Sequence, residues 1–316
     1  MSNSYYVTLE AVVLAVTAEA PRVLVREEHS GWALPSGPFE PERFRTLELA
    51  LRELVQEQTG LPLGYVEQLY TFGNRFRDPR ERWGGPRRIS VAYLALVRQS
   101  TGSAASRWLD VYEALPWEDW RSGRPQLVEE MIPSKLAPWL RTGDPRERKE
   151  RQERMVVVFG QGARWDPERV LERYELLYEA GLVAESLRDQ SANASEEIAP
   201  HASPFGTALS LDHRRILASA LGRLRGKLAY RPVVFELLPP TFTLLELQKT
   251  VEALAGQRVH KQNFRRLVEE GGLVEPTKRV RRRTGGRPAR LYRFRREVLL
   301  ERPAPGVGLP GTRVVG

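Results

Sequence analysis

A chain of 316 residues, 41% hydrophobic, with 49 Lys+Arg against 40 Asp+Glu, has room for two domains of ordinary size, each with its own core. It contains no cysteine, and its four histidines (His29, His201, His213, His260) lie far apart, which rules against disulfides, thiolate nucleophiles, zinc fingers and histidine-based metal sites. No basic leader precedes an apolar core, and no run approaches the roughly 18 apolar residues of a membrane span, so a cytoplasmic protein without membrane contact is expected.

From Tyr5 to Thr17 β-branched residues alternate loosely with polar ones, and Arg22 to Arg26 repeats the pattern, predicting two paired strands. Pro35, Ser36 and Gly37 then break the chain. Leu47, Ala50, Leu51, Leu54 and Val55 recur at helical spacing, and Gly60 can end that helix in a left-handed cap. Strand signals return at Tyr65 to Phe72 and Ile89 to Val97, on either side of a polar loop, Gly73 to Arg88, rich in Arg, Pro and Gly. Residues 1–140 therefore read as a mixed α+β domain.

Residues 141–210 read as a connector. It comprises a charged stretch from Arg141 to Arg154, a strand predicted at Met155 to Phe159, and a helix opened by Asp166-Pro167-Glu168 and stopped at Gly181. A linker, Asp189 to Thr207, is expected to be mobile because it is poor in large apolar side chains. Residues 211–302 begin with a helix from Asp212, its N-cap, to about Tyr230. Its apolar face (Ile216, Leu217, Ala220, Leu221, Leu224, Leu228) suits a domain junction or a dimer interface. The Pro- and Gly-rich residues 303–316 are expected to be a disordered tail.

The net charge of +9 has a single source. Residues 261–296 carry 13 Lys+Arg against 3 Asp+Glu, while the remaining chain is near neutral. Nucleic-acid phosphates suit such a concentration, because each neutralised phosphate releases condensed counterions. Thr243 and Glu246 form the sequence pattern of a capping box, opening a helix with Leu244, Leu247, Val251 and Leu254 inward and Gly256 near its end. Phe264, Leu267 and Val268 predict the buried side of a second short helix, which Gly271-Gly272 closes. Leu273 to Arg279 and Arg290 to Arg295 follow as two strands around an arginine loop. Together these elements predict a winged helix-turn-helix. The expected DNA contacts are Thr243, Lys261, Gln262, Asn263, Arg265 and Arg266 on the helices, and Arg281, Arg282, Arg283 and Arg287 on the wing. Arginine and glutamine can pair with base edges, lysine with phosphate, and wing arginines with a narrow minor groove.

Trp32-Ala33-Leu34-Pro35-Ser36-Gly37, followed by an amphipathic helix ending Thr59-Gly60-Leu61, resembles a Nudix box, whose helix glutamates hold divalent metals against a pyrophosphate. Aligned without a gap backwards from Gly60-Leu61, the box's arginine–glutamate pair falls on Glu53-Leu54 and its glutamate pair on Glu57-Gln58. Shifting by one restores Arg52-Glu53 and Glu57 but puts Gln56 at a metal position. Either register loses metal ligands. A degraded Nudix box ahead of a winged helix resembles the NrtR family of Nudix-related regulators of NAD biosynthesis. It is most similar to the NadQ group, through runs such as Gly64 to Gly73, Arg77-Asp78-Pro79, Arg173 to Leu182, Pro239 to Leu244 and Gly286 to Tyr292.

The resemblance implies an N-terminal Nudix-like α/β/α sandwich, connecting helices and a C-terminal winged helix. It also implies a homodimeric repressor on double-stranded operator DNA, with no required cofactor, no metal, and NAD, ADP-ribose or ATP as effector. Trp32 and Phe72 are the candidates for ring stacking, Arg75 and Arg77 for the pyrophosphate, and Asp78 for a ribose hydroxyl. Two other readings compete: an active Nudix pyrophosphohydrolase acting on ADP-ribose or NAD and tethered to nucleic acid, with Glu53 and Glu57 as its support, and an RNA-binding adaptor.

Overall fold

Strand β1 (Tyr5–Thr17) is buried over most of its length because its two faces serve two cores. It pairs in parallel with a later strand from Tyr5↔Arg87 to Leu14↔Leu96, a register that buries both partners centrally. The computed structural model describes residues 5–17, 19–28, 31–75, 77–99, 106–160, 165–190, 203–281 and 288–307. In chain order β2 (Ala20–Glu28), β3 (Gly31–Ala33), β4 (Ser36–Pro38), α1 (Leu47–Thr59), β5 (Tyr65–Phe72), β6 (Arg87–Leu96) and β7 (Ser106–Asp110) follow. The sheet order is β3-β2-β1-β6-β5, with β4 also on β1 and β7 also on β2. Among the described residues only the β1–β6 pair of this sheet is parallel.

Helix α1 covers one face of this sheet. Thr46 caps its start by accepting the Leu49 N–H at 3.2 Å, and Gly60 ends it at φ 73°. Ala50, Leu51 and Val55 pack on Leu9, Ala11, Val13 and Leu24. Val12, Leu14 and Val23 point the other way. There they meet α7 (His213–Tyr230), which follows α2 (Val111–Ala114), α3 (Ile132–Leu140), α4 (Pro145–Phe159), α5 (Val170–Glu179) and α6 (Ala184–Gln190). Two helical layers around a mixed sheet make the Nudix-type α/β/α sandwich.

The connector departs from its sequence reading. Met155 to Phe159 is the last part of α4, not a strand. Asp144 and Glu147 form a complete capping box with Pro145 at the first helical position, and Met155, Val158 and Phe159 are buried at helical spacing. The valine run favours a strand locally, but a capped helix already under way continues through it. Asp166-Pro167-Glu168 forms a turn, with Asp166 accepting the Glu168 N–H at 2.9 Å, and α5 begins only at Val170. Of the linker expected to be mobile, 191–202 lies outside the described residues, and Phe205 is buried against the core.

The C-terminal module contains α8 (Leu244–Ala255), α9 (Lys261–Glu270), β8 (Val274–Arg281), β9 (Ala289–Phe294) and α10 (Val298–Glu301). The capping box is present: the Thr243 hydroxyl accepts the Glu246 N–H at 3.1 Å, and Glu246 Oε2 accepts the Thr243 N–H at 2.8 Å. Phe242 bridges Tyr292 through both backbone bonds, adding a short third edge to the β8–β9 hairpin. Leu267 is 50% exposed and does not belong to the buried side of α9, which is Phe264 and Val268 alone. Residues 303–307 do not behave as a tail. Pro305 and Val307 are buried, and the Val307 N–H donates to the Leu228 carbonyl at 2.9 Å, because two apolar side chains find the open end of α7. Residues 308–316 lie outside the described residues.

Candidate functional site

On α9, Lys261, Gln262, Asn263 and Arg266 are exposed, whereas Phe264 and Val268 are buried. Arg265 is only half-exposed, and its Nε has no hydrogen-bond partner among the described residues. Lys278, Arg279 and Arg290 on the hairpin are exposed as well, so the charge predicted from composition is distributed over α9 and the two strands. Thr243 is 8% exposed, and its hydroxyl closes the capping box. Arg281 is held by Glu246, the same carboxylate that completes that box, so the base of the wing is tied to the start of α8. Tyr292 donates to Glu269 Oε1 at 3.0 Å, tying β9 to α9. Arg282, Arg283 and Arg287 lie outside the described residues.

In the Nudix-type domain the loop before α1 carries Arg43, whose guanidinium bonds both Glu57, at 2.9 Å, and Glu53. Arg52 bonds Glu48 and the Leu63 and Gly64 carbonyls, and Gln58 donates to the Ser36 carbonyl at 2.9 Å. Arginine and amide groups thus close the loop–helix–loop that metals organise in a hydrolase. Among the described residues no group of three or more His, Cys, Asp or Glu could hold a metal ion.

The five residues proposed from sequence for the ligand are distributed unequally. Trp32 on β3 is half-buried at the sheet edge, with the Arg107 guanidinium 5.4 Å from its ring centre. Phe72 is buried, and Arg75 is exposed. Arg77 is buried and engaged internally: it pairs with Asp212, bonds Ser90, and lies 3.5 Å from Glu10. Asp78 caps the turn Pro79–Trp83, accepting the Arg80 N–H at 3.0 Å and the Tyr6 hydroxyl at 2.8 Å. Burial alone would raise its pKa, but the Arg80 bonds outweigh that and hold it at about 2. Asp212 occupies the N-cap position of α7 without a capping bond, because its carboxylate is turned to Arg77.

Two buried polar clusters escaped sequence reasoning. In the first, Glu10 on β1 accepts from Arg88 at 2.8 Å and Ser90 at 2.6 Å, and His213 Nε2 faces it at 3.8 Å. His213 Nδ1 accepts the Leu34 N–H at 3.0 Å, so the neutral ring carries its proton on Nε2. Burial pushes the His213 pKa down to about 4. In the second, Glu118 is completely buried between Arg173 of α5, at 2.5 and 3.0 Å, and Arg225 of α7. Burial opposes its ionisation, yet the two guanidiniums still lower its pKa. Arg225 continues to the Leu254 carbonyl of α8 at 3.0 Å. At that joint Gly256 adopts φ 68°, and a Cβ there would strike the Glu118 carbonyl. The only sequence signal for these clusters was a carboxylate amid the apolar residues of β1.

A sandwich of the Nudix type and a cation-bearing winged helix are joined by one long buried helix, α7. Residues 234–294 match the family model described as the NrtR DNA-binding winged helix domain. A curated relative from Acinetobacter baylyi, named ADPR responsive transcriptional repressor NtrR, is 25% identical over 273 residues, covering 84% of this chain and 71% of the relative. The crystal structure of Shewanella oneidensis NrtR complexed with a 27mer DNA matches with a TM-score of 0.56 at 20% identity, covering 92% of this chain and 94% of that one. A MutT/nudix family protein from Enterococcus faecalis matches with a TM-score of 0.53 at 16% identity, covering 93% and 88%. The C-terminal segment is thus similar to the NrtR DNA-binding winged helix, and the chain as a whole shares the fold of Shewanella oneidensis NrtR. Among the described residues no helix is long and apolar enough to cross a membrane.

Proposed function

We propose that this protein is a transcriptional repressor of NAD-synthesis genes that binds operator DNA through α9 and the β8–β9 wing, and that ADP-ribose held in its Nudix-type domain shifts that binding without being hydrolysed. The observation that carries the reading is the joining, in one chain, of an NrtR winged helix to a Nudix fold whose box glutamates are held by Arg43. ADP-ribose responsiveness in the Acinetobacter relative supports the choice of effector. Of the residues proposed for the ligand, Trp32 is half-buried and Arg75 exposed, whereas Arg77 and Asp78 act from within through the partners described above. A homodimer would present two α9 helices to the half-sites of a palindromic operator, and sedimentation of the free protein at micromolar concentration measures that state directly.

The test is a titration of ADP-ribose, NAD and ATP into the complex with the duplex upstream of its neighbouring genes. ADP-ribose is expected to change the DNA Kd by about 5-fold or more, the lower end of ordinary coupling; no change with any of the three sinks the reading. Incubation with Mg²⁺ and ADP-ribose should yield no AMP over hours. Turnover near ~10 s⁻¹ would instead make the protein a hydrolase. Lys261→Ala should lower the slope of log K against log salt by about 0.9, the value of one phosphate contact, on operator and random duplex alike. An unchanged slope removes Lys261 from the interface.

A further inference from the structure

We infer that α7 is the lever joining the sensor to the DNA reader, with His213 as its positioning residue at the sensor end and Arg225 at the reader end. This rests on the ligand-responsive reading above. At its start, α7 is stitched to the loop that opens the Nudix segment by two bonds that straddle Ala33. The Leu34 N–H donates to His213 Nδ1 at 3.0 Å, and the Ser210 N–H donates to the Trp32 carbonyl at 2.8 Å. Asp212 adds its pair with Arg77 beneath the same point. Any displacement of Trp32 by a ring stacked on it is therefore delivered to the first turn of α7.

Twelve residues further along, about 18 Å at the rise of an α-helix, Arg225 bonds the Leu254 carbonyl of α8 at 3.0 Å and the Glu118 carbonyl at 3.0 Å. Between the two ends Ile216, Leu217, Ala220, Leu221 and Leu224 are fully buried. A helix packed on all these positions moves as a body, because close-packed interfaces change between discrete arrangements and do not deform continuously. The reader end is also where the two domains touch: Trp120 N–H donates to the Gly256 carbonyl at 2.7 Å, and the Tyr112 hydroxyl to the Ala253 carbonyl at 2.6 Å. A shift of α7 thus moves α8 against the sensor, and α9 with it.

The experiment measures the DNA Kd of the full-length protein with and without saturating ADP-ribose for wild type, His213→Leu and His213→Gln. Leucine removes the acceptor for the Leu34 N–H, whereas the glutamine carbonyl can replace it. His213→Leu should bind ADP-ribose and DNA separately within about 3-fold of wild type, while the ratio of the two DNA Kd values falls from about 5-fold or more to near 1. His213→Gln should retain the wild-type ratio. A full ratio in folded His213→Leu overturns the lever. Failure of wild type to bind ADP-ribose at all is a different result, which overturns the functional reading and the lever with it. Should His213→Leu not fold, hydrogen exchange on wild type decides. ADP-ribose must alter protection both around Trp32 to Leu34 and around Ala253 to Gly256. A change confined to the first segment overturns the proposal.

Discussion

Replacing Glu118 by alanine is expected to destabilise the protein by about 3–5 kcal/mol, the cost of removing one partner from a buried ion pair. Glu118, Arg173 and Arg225 are each inaccessible to solvent, and alanine would leave two guanidiniums facing each other without a counter-charge. Carbonyls of Val158 and Asp166 on Arg173, and of Leu254 on Arg225, soften the loss without supplying charge. Urea unfolding of wild type and variant measures it; a loss below about 1 kcal/mol, typical of an exposed pair, would show that the triad does not hold the connector to the sensor. Acid has the same direction of effect. Because the folded state keeps the Glu118 pKa below that of the unfolded chain, its contribution is complete above the unfolded value and is lost as pH falls through the folded one.

Stability is also expected to fall as pH drops from 7 to 5, by about 2 kcal/mol from His213 alone. The unfolded chain takes up a proton on this ring near pH 6.5, whereas burial holds the folded ring neutral down to about 4. Between those values the unfolded state binds more protons, so lowering the pH favours it. Burial is the largest cause, while Glu10 and Asp212 pull the other way and Arg77 and Arg88 reinforce the depression. Thermal melts of wild type and His213→Gln at pH 7 and pH 5 test this directly. The variant should lose most of the difference between the two pH values, since glutamine keeps the acceptor for Leu34 but does not titrate. Equal pH dependence in both proteins would place the titrating group elsewhere.

Local sequence proved a good guide wherever one element carries its own punctuation. Thr243 with Glu246, Leu47 to Val55 before Gly60, and the basic hairpin each announce themselves within a dozen residues, and each is present. Local sequence was a poorer guide at Met155 to Phe159, where a valine run hid the end of a capped helix. It also misplaced Leu267, because the helical wheel does not say which neighbours arrive to cover a given side. Arg77 and Asp78 were legible as a polar pair but not as an internal one, since the partners of Arg77, Glu10 and Asp212, stand far away in the chain.

By itself the sequence determined the pieces: a strand-rich N-terminal unit with the remains of a Nudix box, a winged helix, and a concentration of positive charge on it. These follow from short-range capping, periodicity and charge, which act over a few residues. Only the tertiary structure decided that Arg43 spans Glu53 and Glu57, that Glu118 gathers two arginines from separate helices, and that His213 receives the Leu34 N–H. Such contacts arise because a buried charge or amide must find a partner wherever the packed chain brings one. No local pattern records which distant residue that will be.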